Sequence, residues 1–426
     1  MKKIILIIAL IFTVNSVLAQ EVFVRSSLSM ILVENPSIAD GKGPLVEAAY
    51  RNYKFPESVY NNHKLPQTTI NLDSYKLTPE EEAQFGVKKS EAGQLLGAVA
   101  SEATAGIVQD DSQVEFELQK YIKQNRLAHE QIIKWFNIKE DGSFNLDYVT
   151  AMINLQLTEE QKLTAVESGS QQAAIDANRE YLINNTYTVF TRLNFVSNEP
   201  IALAIKNTAV QIATEKLGEG MPLELAKKAA EKIYEKTKEG YSVWTNGWLF
   251  DLQWGAEEWA RFESCVNKDT KKIDLDKFYA QDFKLNYVGK EKATSLVTFS
   301  LKKGEGDRTE EQIIDLSTNR NVDKVLVKLQ RAYDQFMPIF PLQQDKPIGA
   351  FLGTKEGIEG GEKFEVLGPF IKETGEYKVL GTITVDKKNV WDNSYGSTDE
   401  KGMTLFTGKL PKLAGKDFGT KIRQKR

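Results

Sequence analysis

The chain has 426 residues, 41% hydrophobic and 10% aromatic, with a formal net charge of −4. That length and apolar content suffice for two or three domains with buried cores, and they exclude intrinsic disorder. The mild acidity gives no global reason to bind nucleic acid. One cysteine, Cys265, and two histidines, His63 and His129, exclude an internal disulfide framework and a histidine-rich metal site.

The first elements carry an address. Lys2 and Lys3 precede an apolar run from Ile4 to Phe12, and Val17 and Ala19 place small residues before Gln20. This predicts a secretory signal peptide over 1–19. Gln20 stands where a lipid-anchored protein would carry Cys, so no N-terminal lipid anchor is expected. The remaining chain of about 407 residues has 53 basic against 59 acidic residues, net −6. No later run approaches about 18 apolar residues, so no transmembrane segment is expected after signal removal.

Residues 20–180 read as a mixed, mainly helical N-terminal region. A strand or two lies in EVFVRSSLSMILVENP, stopped at Asn35-Pro36. A short helix, LVEAAYRNY, and an extended TTINL follow. TPEEEAQFG starts a helix, and EFELQKYIKQNRLAHEQIIKWF reads as one long helix.

Residues 181–340 read as a mixed α/β sheet domain with antiparallel hairpins. Tyr187, Val189, Thr191, Leu193 and Phe195 recur with period two, as in a strand. A helix is expected through 201–217. Another begins at Pro222, with Leu223, Ala226, Ala230, Ile233 and Tyr234 as its apolar stripe and Gly240 as its stop. In YSVWTNGWLFDLQW, Asn246-Gly247 predicts a hairpin turn, with Trp248, Phe250, Leu252 and Trp254 on one face. FKLNYVGKEKATSLVTFSL predicts a second hairpin turning near Gly289–Thr294. A helix carries Val322, Val325, Leu326, Leu329, Tyr333 and Phe336 and stops at Pro338. Residues 346–393 read as a small β-barrel of the SH3/OB kind, and 394–426 as an irregular basic tail. The fold class is thus α+β.

Few catalytic devices survive inspection. GTKEGIEGGEKFEVLG, residues 353–368, looks at first like a phosphate loop. Its glycines lack the P-loop spacing, Glu356, Glu359 and Glu362 would meet the phosphate, and a strand follows where a helix should. Ile358, Phe364 and Val366 are expected inside the barrel instead. NIKEDGSFNLDY, 137–148, lacks the ligands of a calcium loop, with Lys139 and Tyr148 at ligand positions, and reads as an Asp-Gly turn. Ser300–Lys303 matches SxxK, but at a strand end. Cys265 reads as a small buried residue. No catalytic residue, cofactor or metal site is assigned. The candidates that remain are Trp254, Glu257, Glu258 and Trp259, where carboxylates adjoin rings able to stack on a sugar.

Several segments carry a family resemblance. WFNIKEDGSFNLDYV, INNTYTVFTRLNFV, EGYSVWTNGWLFDLQW, RNVDKVLVKLQRAYDQF, IGAFLGTKEGIEGGEKFEVL and VWDNSY are similar to a family of exported Bacteroidetes proteins without established activity. The pattern GxxxGIxxGxxFxVL, followed by Gly381–Val385, resembles the C-terminal barrel of the flagellar assembly protein T. In such proteins the barrel follows an α/β domain like those of TolB and the curli secretion lipoprotein. The resemblance implies a periplasmic or surface-exposed envelope protein acting by binding, with an envelope protein or a glycan polymer as partner. The alternative is a carboxylate-based hydrolase of glycan or peptidoglycan.

Overall fold

The structure, a computed structural model, describes residues 27–35, 38, 41–53, 65–85, 111, 113–145, 183–298, 308–371, 376–411 and 420–425. The segment predicted as a signal peptide, His63, the SxxK match and much of 78–180 lie outside the described residues.

Five strands form the first sheet, in the order β2-β1-β3-β4-β5. They are β1 (Ser27–Val33), β2 (Thr69–Ile70), β3 (Thr186–Ser197), β4 (Gly240–Leu252) and β5 (Leu285–Thr298). β2 and β3 both run parallel to β1, whereas β4 is antiparallel to β3 and β5. Two strands from the N-terminal region therefore share one sheet with three from beyond 181. The division expected at residue 180 runs through this sheet.

Both faces of the sheet are covered. On one side α1 (Gly43–Arg51) and α9 (Glu310–Ala332) pack on Leu28, Val189, Leu193, Val243 and Leu249. On the other, α3 (Val114–Gln124), α4 (Leu127–Phe136), α7 (Ala256–Ser264) and α8 (Leu275–Tyr279) pack on Ile31, Phe190, Trp248 and Phe250. α2 (Pro79–Phe85) lies beside α3, with Lys120 paired to Glu81 at 2.8 Å. The period-two face of β3 is as expected, but Phe190 on the other face is equally buried. An α-β-α arrangement removes the polar face that alternation implies.

Both predicted hairpin turns are corrected. Asn246 and Gly247 lie inside one continuous strand, paired with Arg192 and Thr191 of β3. A Cβ at Gly247 would come within 2.9 Å of the Val325 side chain, so this glycine lets α9 approach the sheet. β5 is likewise one strand, with an irregularity beside Leu249 instead of a turn. A Cβ at Gly289 would stand 2.0 Å from the Tyr333 hydroxyl. Glycine permits close backbone approach as well as turning, and the local sequence does not distinguish the two.

The long helix of 115–136 is broken. Arg126 adopts a left-handed conformation (φ 53°) between α3 and α4. The apolar stripe slips there: Leu118, Tyr121 and Ile122 are buried, but polar Asn125 and Arg126 occupy the next turn, and the stripe resumes at Leu127. α9 begins earlier than expected, at a Thr309–Gln312 capping box, and ends at Ala332, six residues before Pro338.

The second sheet is a curled antiparallel half-barrel in the order β6-β12-β9-β10-β11-β8-β7. It comprises β6 (Ile339–Pro341), β7 (Gln344–Asp345), β8 (Ile348–Ala350), β9 (Lys363–Ile371), β10 (Glu376–Val385), β11 (Thr404–Thr407) and β12 (Lys421–Gln424). Ile358, Phe364 and Val366 lie in its core, as expected, with Phe340, Ile383 and Phe406. The module therefore outruns 346–393. The tail expected to be irregular supplies β11 and β12. In Lys-Ile-Arg-Gln only Ile422 is buried, while Arg423 pairs with Glu365 at 2.9 Å. One apolar residue in four gives a strand no visible period.

α5 (Asn198–Leu217) and α6 (Met221–Thr237) form a helical hairpin inserted between β3 and β4. Ser197 and Tyr241, at its two ends, are directly paired across the sheet. A short turn would have joined them.

Candidate interaction surface

The aromatic–carboxylate cluster is part of the core. Trp254 is 4% exposed and packs on Phe136 and Phe283, with centroids 5.6 and 6.2 Å away. Trp259 is half-buried against Phe136 and Phe262. Glu257 is 83% exposed, 3.9 Å from Arg261. Glu258 is buried and accepts a hydrogen bond from Gln253 Nε2 at 2.7 Å. Adjacent helical residues diverge by about 100°, so one carboxylate faces water and the other faces protein. The four residues do not frame a cleft in which two carboxylates face a sugar.

The remaining reactive residues are also held structurally. Burial pushes the Cys265 thiol up, and Sγ donates to the Arg261 carbonyl at 3.2 Å. His129 lies edge-on to Phe278 and Phe283 and stacks on Tyr279. Burial holds its imidazole below the usual value. Among the described residues, no group of three or more His, Cys, Asp or Glu could hold a metal ion.

Loop 353–362 has spent its backbone donors. Glu356 accepts from Gly353 N–H at 2.7 Å, and Glu362 accepts from Glu359 and Gly360 N–H, both at 2.8 Å. Gly357, Gly360 and Gly361 have positive φ, as turn residues require. Two of the three carboxylates that argue against phosphate in the sequence, Glu356 and Glu362, accept these N–H groups in the structure. In the described part of 137–148, Asp141 accepts from Ser143 N–H at 3.0 Å and pairs with Lys272 at 2.7 Å. Those bonds hold its carboxyl well below the usual range. This is the expected turn, with residues 146–148 outside the described set.

Two polar groupings escaped the sequence reading. Arg192 lies 3.2 Å from Asp111, and both are buried. Asn246 also donates to Asp111. A second set ties the half-barrel to the sheet layer: Arg331 donates to the Gly357 carbonyl at 2.6 Å, and Lys355 lies 3.9 Å from Asp323, which accepts from Tyr53 at 2.6 Å. Tyr395 donates to Asp315. No local motif marks these pairs, because their members are far apart in the chain.

The hairpin contrasts with this closed body. Its helices join through a seam that includes Ala202, Leu223 and Ala230, all buried. Lys206 pairs with Glu231 at 2.5 Å and lies over the Tyr234 ring at 4.7 Å. The expected stripe of α6 is only partly core: Leu223 and Ala230 are buried, but Ile233 is 56% exposed. Leu225 (63%), Ile205 (52%) and Ile212 (46%) are exposed too. At 100° per residue, Ile201, Ile205, Thr208 and Ile212 share an arc of about 60° on α5, and Leu225, Ala229 and Ile233 one of about 80° on α6. Both arcs lie on the same side of the hairpin; Lys236 falls within the α6 arc, and Leu203 (43%), on the opposite side of α5, is exposed as well. Ile201, Ile205, Thr208 and Ile212 are spaced 4-3-4, as in a helix-packing seam. From the sequence, α5 is expected only as a helix through 201–217, without this face. Its exposure is not legible there either, since a 3.6-residue period says only that one face is apolar.

No protein-family model and no curated protein matches this chain.

Proposed function

We propose that this is an exported, non-enzymatic cell-envelope protein that acts by binding, with the α5–α6 hairpin as its contact surface. The observation that carries the reading is the hairpin's exposed face of isoleucine and leucine, held away from two closed cores. Exposed apolar residues gathered on one surface mark interaction sites in proteins that otherwise bury them. The signal-peptide pattern of 1–19 supports export. The glycine-turned half-barrel is consistent with a module of the SH3/OB kind, like the flagellar assembly protein T barrel, and serves as a brace. Its loop donors are consumed internally, which argues against a ligand there.

The test is photo-crosslinking in intact cells with a photoreactive residue at Ile205, Ile212 or Leu225, together with fractionation. The expected result is a processed chain in the envelope fraction and crosslinked products from these positions. A control at Lys268, on the body, should give none. An unprocessed cytoplasmic chain, or crosslinks from Lys268 only, overturns the reading.

A further inference from the structure

The outer edge of the first sheet is a surface distinct from the hairpin. β5 is the longest strand among the described residues, and it has a strand neighbour on one side only, β4. In an antiparallel pair the N–H and C=O of one residue point the same way, and successive residues alternate between the partner and the open side. The carbonyls of Lys290, Lys292 and Thr294 face the open side, where side chains of α9 and of Tyr333, just beyond it, reach them. Tyr333 Oη donates to Lys290 at 3.4 Å, Lys328 Nζ to Lys292 at 2.6 Å and Lys324 Nζ to Thr294 at 3.4 Å. The N–H groups of the same three residues therefore also point outward, where no strand of the described residues lies. The edge offers a donor at every second residue, while its acceptors are held by long side chains.

Its charge is one-sided too. Arg320, Lys324 and Lys328 recur every four residues on α9 and are exposed. Asn321 of α9 donates to Ser295 Oγ, so the odd-numbered side chains of this stretch of β5 face α9 and the even-numbered ones face away. Lys290 and Lys292, both exposed, thus flank the edge from the other side of the sheet. Among the described residues none of these five cations takes part in an ion pair. Glu291, half-buried, is the one acidic residue from Val288 to Thr298. Burial, and then the charges of Arg320 and Lys328, hold the Lys324 amine below its usual value. In a chain of net charge −4, this edge is a concentrated field of the opposite sign.

We infer that the β5 edge binds an acidic, extended peptide segment of another protein by strand addition. Strand addition gives main-chain hydrogen bonds along the edge and leaves the side chains to select the partner. The carbonyls on one side of an extended peptide recur at about 7 Å, the spacing of the outward N–H groups at 290, 292 and 294. The peptide's own N–H groups take over the edge carbonyls, and the ammonium groups of Lys324 and Lys328 turn from those carbonyls to its carboxylates. A second copy of β5 would set lysine against lysine and is disfavoured. A polyanion without a peptide backbone would engage the cations and leave the edge donors unused. This surface is separate from the hairpin, and the inference does not depend on the hairpin's role.

The experiment is fluorescence anisotropy on the full chain without residues 1–19, with a labelled peptide of Glu-Glu-Val repeats, which places carboxylates on both faces of a strand. Hydrogen exchange by mass spectrometry is followed in parallel. The expected result is saturable binding, with amide exchange slowed across 290–294. Lys324→Ala with Lys328→Ala should weaken it at least tenfold. Both lysines are exposed, so this variant should keep the wild-type urea midpoint; Lys290→Ala with Lys292→Ala tests the same field from the other face. A peptide of Glu-Glu-Pro repeats carries the same charge but lacks N–H groups on both of its edges, and should bind at least tenfold more weakly. An absence of binding at hundreds of micromolar overturns the inference, as does binding indifferent to both lysine pairs. Equal binding of the proline peptide also overturns it. So does inorganic polyphosphate binding more tightly than the peptide while exchange at 290–294 stays unchanged with either.

Discussion

β3 and the α5–α6 hairpin use the same kinds of residue to opposite ends. Val189, Phe190 and Leu193 of β3 are fully buried because helices cover both faces of the sheet. Ile205, Leu225 and Ile233 of the hairpin remain about half exposed, because among the described residues the hairpin packs mainly on itself and meets the sheet at its base, where Asn198 accepts from Ser242 at 2.8 Å. Burial is thus set by the number of layers around an element, not by its residue types. The sheet body spends its apolar surface on its own stability. The hairpin keeps part of that surface available.

The largest test of this contrast is Phe136→Ala. Phe136 is fully buried and stacks on Phe262 at 4.3 Å. Its truncation should cost about 3–5 kcal/mol in urea unfolding, and a cost below 1 kcal/mol would show the body to be loosely packed. Asp111→Ala should cost a similar amount, about 3–5 kcal/mol, by leaving the buried Arg192 without its carboxylate. Replacing both together, as Asp111→Leu with Arg192→Met, should recover much of that loss. Gly247→Ala should cost about 1–3 kcal/mol, since Val325 must move to admit the methyl. At the other extreme, Leu225→Ser on the hairpin should change stability by no more than about 0.5 kcal/mol. A large loss there would mean that the residue is buried after all and would remove the contrast.

Acidification sharpens the same comparison. The unfolded imidazole titrates near pH 6.5, and burial lowers that of His129 in the fold. The native state therefore favours the neutral ring. Its contribution is fully present above about pH 6.5 and declines as the pH falls through the depressed folded value. The urea midpoint should drop between pH 7 and pH 5, and His129→Phe should flatten that part of the profile. An unchanged slope in the variant would place the effect in other groups.

Much of the body is legible in the residues. Alternation along 187–195, the face of Trp248, Phe250, Leu252 and Trp254, and the stripe Val322, Val325, Leu326 and Leu329 each place a buried side on the right element. The glycines of 357–361 are turn residues, and Phe364 is interior. What the residues hid were features with two physical uses. Gly247 and Gly289 serve as close approaches to α9 and Tyr333 instead of turns. Trp254 and Glu258 serve the core instead of a cleft. Asp111 and Arg192 meet only through the fold. β11 and β12, at four residues each, are too short to show a period.

The sequence by itself determined which side of most elements is apolar, where several chain reversals fall, and that loop 353–368 does not suit phosphate. Those properties depend on neighbours one to four residues away. The tertiary structure alone decided which apolar faces are covered. Covering a face requires a second layer contributed by distant chain, as α1 and α9 do for the sheet. The hairpin shows the converse: the stripe expected on α6 is only partly covered, with Leu223 and Ala230 buried and Ile233 56% exposed, because little is packed beside it among the described residues.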